Sequence, residues 1–339
     1  MIVADLSERE LIARIQSKLP PAPPWLLVGI GDDAAVVEPE RNRVEVLTTD
    51  TLVEGVHFLP DMGAATGYRA LAVNLSDLAA MGATPRLALL SFCLCPSLSL
   101  GMFDLIVDGF LELARKQGIH VVGGNLSRTP GPLTIDVTVI GTVKRRQSLT
   151  RSGAQPGDEL YVSGALGSGA AGLRAVMMIG AERRDPDDKQ TVPSVEALNR
   201  YLRPEPRVKL GILLGRNRAA TACIDLSDGL ADGVHRIAEA SNVGITVDGD
   251  AVPIASDVRD YFSSSGVDPL TEAMTASDDY ELLFTVRPRT ERRLKAAARH
   301  GGVPITRIGV CTEDRAVVVE CGGVRSPMPS GYSHFRERK

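Results

Sequence analysis

The residues of this chain best suited to chemistry are aspartates set beside apolar, strand-like sequence. They fall in four segments: GIGDDAAVV with Asp32 and Asp33, LTTDTLVEGVHF with Asp50, AVNLSDLAAMG with Asp77, and ACIDLSDGLADG with Asp225 and Asp228. Carboxylates rarely enter such surroundings unless they are paired, hydrogen-bonded or bound to a cation. The donors on offer are Asp and Thr oxygens, with no His or Cys at zinc spacing, which suits magnesium or calcium rather than a transition metal. Magnesium is usually held by one or two carboxylates together with the phosphates of a substrate, so the pattern points to phosphoryl transfer. Taken one at a time, each Asp also fits a helix cap or turn: Ser76 and Asp77 could cap, and Asp228-Gly229 is a turn dipeptide.

Two further motifs accompany the aspartates. In GALGSGAAG, Gly167, Gly169 and Gly172 stand at G-x-G-x-x-G spacing after the strand-like ELYVSG. A dinucleotide site would need an acidic strand end about 20 residues on, where ERRDPDDKQTVP is polar and broken by proline. Tight packing of a helix against the sheet and approach of a phosphate to a helix N-terminus both remain open. His57 lies a few residues after Asp50, which allows contact with substrate or plain packing. No lysine follows a glycine, so there is no Walker-A Gly-Lys, and the H-R-D and D-F-G elements of protein kinases are absent.

The elements that must position these residues read as alternating α and β. Ser7 with Glu10 makes a capping box and Leu6 with Leu11 a hydrophobic staple, predicting a helix from Glu8 to about Leu19, stopped by Pro20, Pro21, Pro23 and Pro24. Strands are expected at Val44 to Thr48, Leu87 to Leu94, Ile119 to Val122 and Leu133 to Val143, with helices near Tyr68 to Met81 and Met102 to Lys116. The polar stretch from Lys144 to Asp158 contains a Pro-Gly turn and marks a boundary between domains 1–147 and 148–339. Beyond it come a strand at Glu159 to Ser163, a Gly-rich turn and helix, a polar insert at Glu182 to Gln190, and helices to about Arg216. Strands are then expected at Ala222 to Leu226, Gly244 to Val247, Glu281 to Val286 and Ala316 to Glu320.

The 339 residues exceed what one core usually holds. Hydrophobic residues at 44% with no long apolar run give no membrane span. The net charge of −4 has its cations dispersed and offers no footprint for nucleic acid or an anionic membrane, leaving a small molecule as the expected partner. Five cysteines without zinc spacing imply reduced thiols, and the N-terminus has no secretory pattern, so a cytoplasmic location is expected. Cys93 and Cys95 sit in LALLSFCLC and read as strand packing.

GIGDDAAVV, TTDTLVEGVHF, ALAVNLSDLAAMGATP, LTRSGAQPGD, IDLSDGLAD, DDYELLFTV and GYSHF together resemble the thiamine-monophosphate kinases, within the superfamily of aminoimidazole ribonucleotide synthetase. The resemblance covers almost the whole chain. It implies a two-domain α/β fold of α+β type, with the N-terminal domains of two subunits pairing into a shared β-barrel and a C-terminal α/β sandwich completing the ATP and substrate site. It implies a homodimer that phosphorylates thiamine monophosphate to thiamine diphosphate with ATP and several magnesium ions.

By motif, Asp33, Thr48, Thr49, Asp50, Asp77, Asn125, Asp225 and Asp228 would be magnesium ligands, with Asp50, Asp77 and Asp225 central to catalysis. Gly124, Asn125, Arg151 and Ser227 would touch ATP, and His57, Asp278 and Tyr332 the thiamine phosphate. The chain departs from the family in three places. Gly123-Gly124-Asn125 stands where Gly-Gly-Asp is common, Thr48-Thr49-Asp50 where Ser-Thr-Asp is, and Ala276-Ser277-Asp278-Asp279-Tyr280-Glu281 where Gly-Gly-Glu-Asp-Tyr-Glu is.

The residues agree with that chemistry. A phosphate monoester acceptor has its second pKa near ~6 and is already anionic, so no general base is needed. The barrier is repulsion between polyanions, which an aspartate-held ring of magnesium ions offsets. The alternatives are another ATP-dependent enzyme of the superfamily, a non-catalytic nucleotide or metal sensor, and a nicotinamide dehydrogenase suggested by the glycines.

Overall fold

The computed structural model describes residues 1–182 and 193–331, so Tyr332 and most of the polar insert lie outside the described residues. The chain divides into two compact units, residues 1–78 with 83–146, and residues 79–82 with 147–339. The first unit contains α1 (Glu8–Gln16), β1 (Leu26–Val28), β2 (Val36–Val37), β3 (Arg43–Val53), α2 (Ala64–Ala80), β4 (Thr84–Leu94), α3 (Leu100–Gln117), β5 (His120–Arg128) and β6 (Thr134–Lys144). The Ser7–Glu10 box starts α1 as its spacing predicts. The helix ends at Gln16, earlier than expected, where the Ser17 hydroxyl turns back onto the Arg14 carbonyl at 2.7 Å.

Strands β3, β6, β4 and β5 form a four-stranded mixed sheet in that order, with β4 and β5 parallel across the α3 crossover and the other pairs antiparallel. The sheet is open, with β3 and β5 at its edges. One face is apolar: Ile135, Val137 and Val139 of β6 and Ala88 of β4 are wholly buried. In α2, Leu71, Leu75 and Leu78 recur at helical spacing and are also wholly buried. Glycine lets α2 and α3 touch, since a Cβ on Gly67 would lie 1.7 Å from the Ile106 carbonyl oxygen.

The second unit contains β7 (Glu159–Ser163), α4 (Ser168–Glu182), α5 (Val195–Leu202), α6 (Val208–Arg216), β8 (Ala222–Asp225), α7 (Leu230–Ser241), β9 (Gly244–Asp248), α8 (Ser256–Ser264), α9 (Pro269–Thr275), β10 (Leu282–Val286), α10 (Glu291–Gly301), β11 (Ile305–Thr312), β12 (Val317–Cys321) and β13 (Val324–Pro327). Its seven-stranded sheet runs β13-β12-β9-β11-β7-β10-β8. Strand β7 pairs antiparallel with both β10 and β11, which removes the dinucleotide reading of the glycines, because that fold needs parallel neighbours around its first strand. Buried Leu230, Val234 and Ile237 of α7 pack with Ile224, Ile245, Val247 and Leu283 of the sheet.

Candidate functional site

In the first unit the sheet and α2 bring three of the expected ligands together. From Ala65 to Ala80 every residue of α2 is buried except Asp77, which is half-buried. Its carboxylate accepts from the Thr48 hydroxyl at 2.5 Å. Asp50 lies two residues further along β3, on the same face as Thr48 by strand alternation. Burial, then the charges of Asp77 and Asp136, push the Asp50 carboxyl up to about 6. Two buried polar atoms in the same stretch of α2, Asn74 Oδ1 and Ser76 Oγ, have no hydrogen-bond partner. A protein rarely leaves such groups unsatisfied without water or an ion to meet them.

The other first-unit candidates lie around this core in different ways. Thr49 points to the opposite face from Thr48, where its hydroxyl donates to the Val137 carbonyl at 3.2 Å and accepts from Thr138 at 3.0 Å. Asp33 is on an exposed loop, its amide donating to Asp32 Oδ1 at 2.8 Å. Gln16 donates to the Ile30 carbonyl at 2.8 Å and so anchors that loop. His57 follows β3 in a turn where its Nδ1 accepts from the Val53 amide at 3.1 Å. Gly124 has no room for a side chain, since a Cβ there would lie 1.8 Å from the Leu90 carbonyl oxygen. Among the described residues no three His, Cys, Asp or Glu side chains come close enough to hold a metal by themselves.

In the second unit Asp225 ends β8 and is 7% exposed. Ser227 and Asp228 follow in the turn, with Ser227 donating to the Asp228 carboxylate at 3.4 Å. Gly229 then takes φ of 90° against the Met274 carbonyl, a conformation open to glycine. Arg151 is exposed, and its carbonyl accepts from the Ser241 hydroxyl at 3.2 Å. Asp278 stands over the start of α4, where a Cβ on Gly169 would lie 2.7 Å from its Oδ1.

The glycine motif has a structural explanation in the same place. The amides of Gly167 and Gly169 donate to Asp279 at 2.7 and 2.9 Å, so a carboxylate of the chain already occupies the N–H groups that a phosphate would use. The phosphate reading at this helix start is thereby corrected. Burial raises the Asp279 carboxyl to about 6 against the pull of its hydrogen bonds from Ser277, Gly169 and Gly167. Gly172 serves close helix contact, with a Cβ there 2.2 Å from the Ala197 carbonyl oxygen of α5.

Residues 31–143 match the family described as AIR synthase related protein, N-terminal domain, and residues 155–322 match its C-terminal domain. The thiamine-monophosphate kinase of Escherichia coli (strain K12) is 38% identical over 334 residues, covering 97% of this chain and 98% of that protein. The chain belongs to the thiamine-monophosphate kinase family. Two solved structures extend the likeness. The thiamine-monophosphate kinase from Stenotrophomonas maltophilia K279a is 37% identical with a TM-score of 0.78, over 94% of this chain and 97% of that one. AaThiL complexed with AMPPCP and TMP is 31% identical with a TM-score of 0.75, over 99% of both chains.

Against the thiamine-monophosphate kinase pattern, two positions gain meaning from the geometry. Asn125, where the family commonly has Asp, lies on β5 with its amide donating to Ser127 Oγ at 3.0 Å. Asp136 on β6 is a carboxylate that the motif reading passed over, because T-I-D-V-T-V alternates like an ordinary half-exposed strand. Its presence among the charges acting on Asp50 is visible only once β3 and β6 are paired.

Proposed function

We infer that the chain carries out the reaction of its family, ATP-dependent phosphorylation of thiamine monophosphate to thiamine diphosphate, by direct in-line transfer with several magnesium ions. The observation that carries the magnesium assignment is the oxygen-only cluster of Thr48, Asp50 and Asp77, where a half-buried carboxylate is pushed up to about 6 by burial and then by its acidic neighbours. Such crowding is relieved by a cation, and the donors suit a hard one. The orphaned Asn74 and Ser76 oxygens beside Asp77 favour the same fit.

Asp33, Thr48, Thr49, Asp50, Asp77 and Asn125 of the first unit, and Asp225 and Asp228 of the second, would hold the ions. Magnesium, when bound, supplies charge neutralisation between the two polyanions and alignment of the transfer. Gly124, Asn125, Arg151 and Ser227 steady the nucleotide. Asp278 contacts the thiamine phosphate. His57, with Nδ1 engaged as an acceptor, carries its proton on Nε2 in the neutral form and orients the acceptor as a donor. No residue is needed as general base, since the attacking phosphate oxygen is anionic near neutral pH.

A homodimer is supported by the uncovered face of the first unit's sheet, where Leu47 is 62% exposed. A cytoplasmic location fits the five thiols, none of them in a disulfide. The test of the function is ADP release from purified protein with ATP, magnesium and thiamine monophosphate, with thiamine diphosphate identified by mass. Product is expected only with all three present. Turnover that persists without magnesium would remove the metal assignment, and the absence of product with all three would remove the kinase reading.

A further inference from the structure

Glu281 and Arg207 form a buried ion pair in the second unit, with Glu281 immediately before β10 and Arg207 immediately before α6. The Glu281 side chain is 2% exposed and that of Arg207 is 9% exposed. The guanidinium grips the carboxylate with two N–H groups: Nε donates to Oε2 at 2.7 Å and Nη2 donates to Oε1. At the end of β7 the Ser163 hydroxyl donates to the same Oε2 at 2.5 Å and accepts from the Leu282 amide at 2.9 Å. Glu205 meets Arg207 Nη1 at 3.4 Å, and Arg200 stands 4.0 Å from Oε1. Taking both charges out of water costs about as much as their attraction returns, so what a buried two-pronged pair adds is a fixed geometry.

That geometry passes on through the main chain. The Glu281 carbonyl accepts from the Leu226 amide at 2.8 Å, and the Tyr280 amide donates to the Leu226 carbonyl at 2.9 Å. Leu226 stands between Asp225 and the Ser227-Asp228 turn, so the segment carrying these carboxylates is bracketed at its centre. The next pair along the same ladder is Leu282 with Asp225. Tyr280 takes φ of 53°, a left-handed conformation that a residue with a Cβ holds only where its surroundings over-determine it. Asp279 is pinned to the start of α4 on one side of it, and Glu281 to Arg207 and Ser163 on the other.

We propose that Arg207 is a positioning residue of the second unit's ion site: through the buried Glu281 carboxylate it sets the main chain that brackets Leu226, and with it the placement of Asp225 and Asp228 on either side. The action runs through backbone hydrogen bonds and needs no contact between Arg207 and an ion. The proposal rests on the reading of Asp225 and Asp228 as magnesium ligands.

The test compares wild type with Arg207→Lys, which keeps a positive charge beside Glu281 but cannot make the two-pronged grip. Hydrogen exchange of the full chain reads the Leu226 amide, and manganese titrated calorimetrically into the nucleotide-free protein reads the ion site, both well below the unfolding temperature. Exchange at Leu226 is expected to quicken by about tenfold and manganese affinity to fall by about tenfold. In turnover the half-saturating magnesium is expected to rise by a like factor, while kcat at saturating magnesium falls by less than about threefold. Two comparison variants separate the causes. Gly172→Ala loosens the same unit at the contact of α4 with α5 and is expected to leave manganese affinity at its wild-type value. Asp228→Asn removes a proposed ligand and is expected to weaken manganese binding by at least about tenfold.

Wild-type exchange at Leu226, or wild-type manganese affinity in Arg207→Lys while Asp228→Asn is weakened, would overturn the proposal. An equal loss of affinity in Arg207→Lys and Gly172→Ala overturns it too, because the pair would then do no more than hold the unit together. If Asp228→Asn binds manganese as wild type does, the ion reading itself fails and takes the proposal with it. If Arg207→Lys does not fold, Ser163→Ala takes its place. That variant removes one donor from Glu281 and leaves the charge pair intact; the same two changes are expected at several-fold, and wild-type values overturn the proposal.

Discussion

Asp50 joins structure to chemistry most directly, because its environment opposes the charge its role requires. Burial, followed by Asp77 and Asp136, raises its folded-state pKa to about 6, above the ordinary carboxylate value of 3.8. A group shifted in this direction binds its proton more tightly in the folded protein. Its stabilising contribution is therefore present at acid pH and is lost as pH rises from about 3.8 through about 6. Asp50→Asn is expected to be more stable than wild type by on the order of 1–3 kcal/mol at pH 7.5 with metal chelated, and the gap to narrow at pH 5. Thermal unfolding at the two pH values checks this; equal stability at both would mean that Asp50 is better solvated than its position implies. The same substitution is expected to lower kcat by at least about a thousandfold, since a neutral amide cannot take the carboxylate's place against magnesium. Near-normal turnover would remove Asp50 from the ion site.

At the scale of elements, the staple between Asp279 and the start of α4 decides what the glycine motif does. Asp279→Ala would strip the Gly167 and Gly169 amides of their acceptor and is expected to cost about 1–3 kcal/mol in thermal unfolding of the second unit. Gly172→Ala places a Cβ 2.2 Å from the Ala197 carbonyl oxygen and is expected to cost about 1–3 kcal/mol. Gly101→Ala, in α3 with nothing within 4 Å, is expected to be neutral or to stabilise by up to about 1 kcal/mol. If the two glycine substitutions behaved alike, close contact would not explain Gly172.

The same elements show what could be read from sequence. Apolar periodicity located α2, α3, β4 and β7 within a few residues, because each buries a regular face. It stopped β3 at Thr48, whereas the strand runs to Val53: Thr49, Asp50 and Thr51 continue the alternation with polar side chains, which resemble a loop until the partner β6 is in place. The expectations missed β11, whose register shifts between Arg307 and Gly309, and α10, which buries only Leu294 and Ala297. The motif aspartates were legible because acidic residues beside apolar runs are chemically costly. Asp136 and the Asp279 staple were not, since each depends on pairing between residues far apart in the chain.

At the scale of the molecule, the exposed side of β3 in the four-stranded sheet supports the proposed dimer. Leu47 of β3 pairs in register with Ile140 of β6, so an apolar pair lies on the face beside the threonine rows. Leu47 is 62% exposed, an arrangement that favours association over solvent when the patch is large enough. Two such faces meeting about a two-fold axis would bring each apolar pair against the other and cover the polar row of Thr51, Asp136, Ser91 and Asn125, which pair in register across the sheet. A stable pair needs about 800 Å² buried on each partner, a size that a four-stranded sheet face can supply. The wild-type chain is therefore expected to sediment as a dimer at micromolar concentration, and Leu47→Lys to weaken the dimer by at least about tenfold, since each copy would desolvate a charge at an apolar contact. Sedimentation velocity over a dilution series reads both. A monomeric wild type that turns over at nanomolar concentration would show that the face is tolerated bare and that the ion site is complete within one chain. A dimer that dissociates together with its magnesium affinity would tie the ion site to the interface.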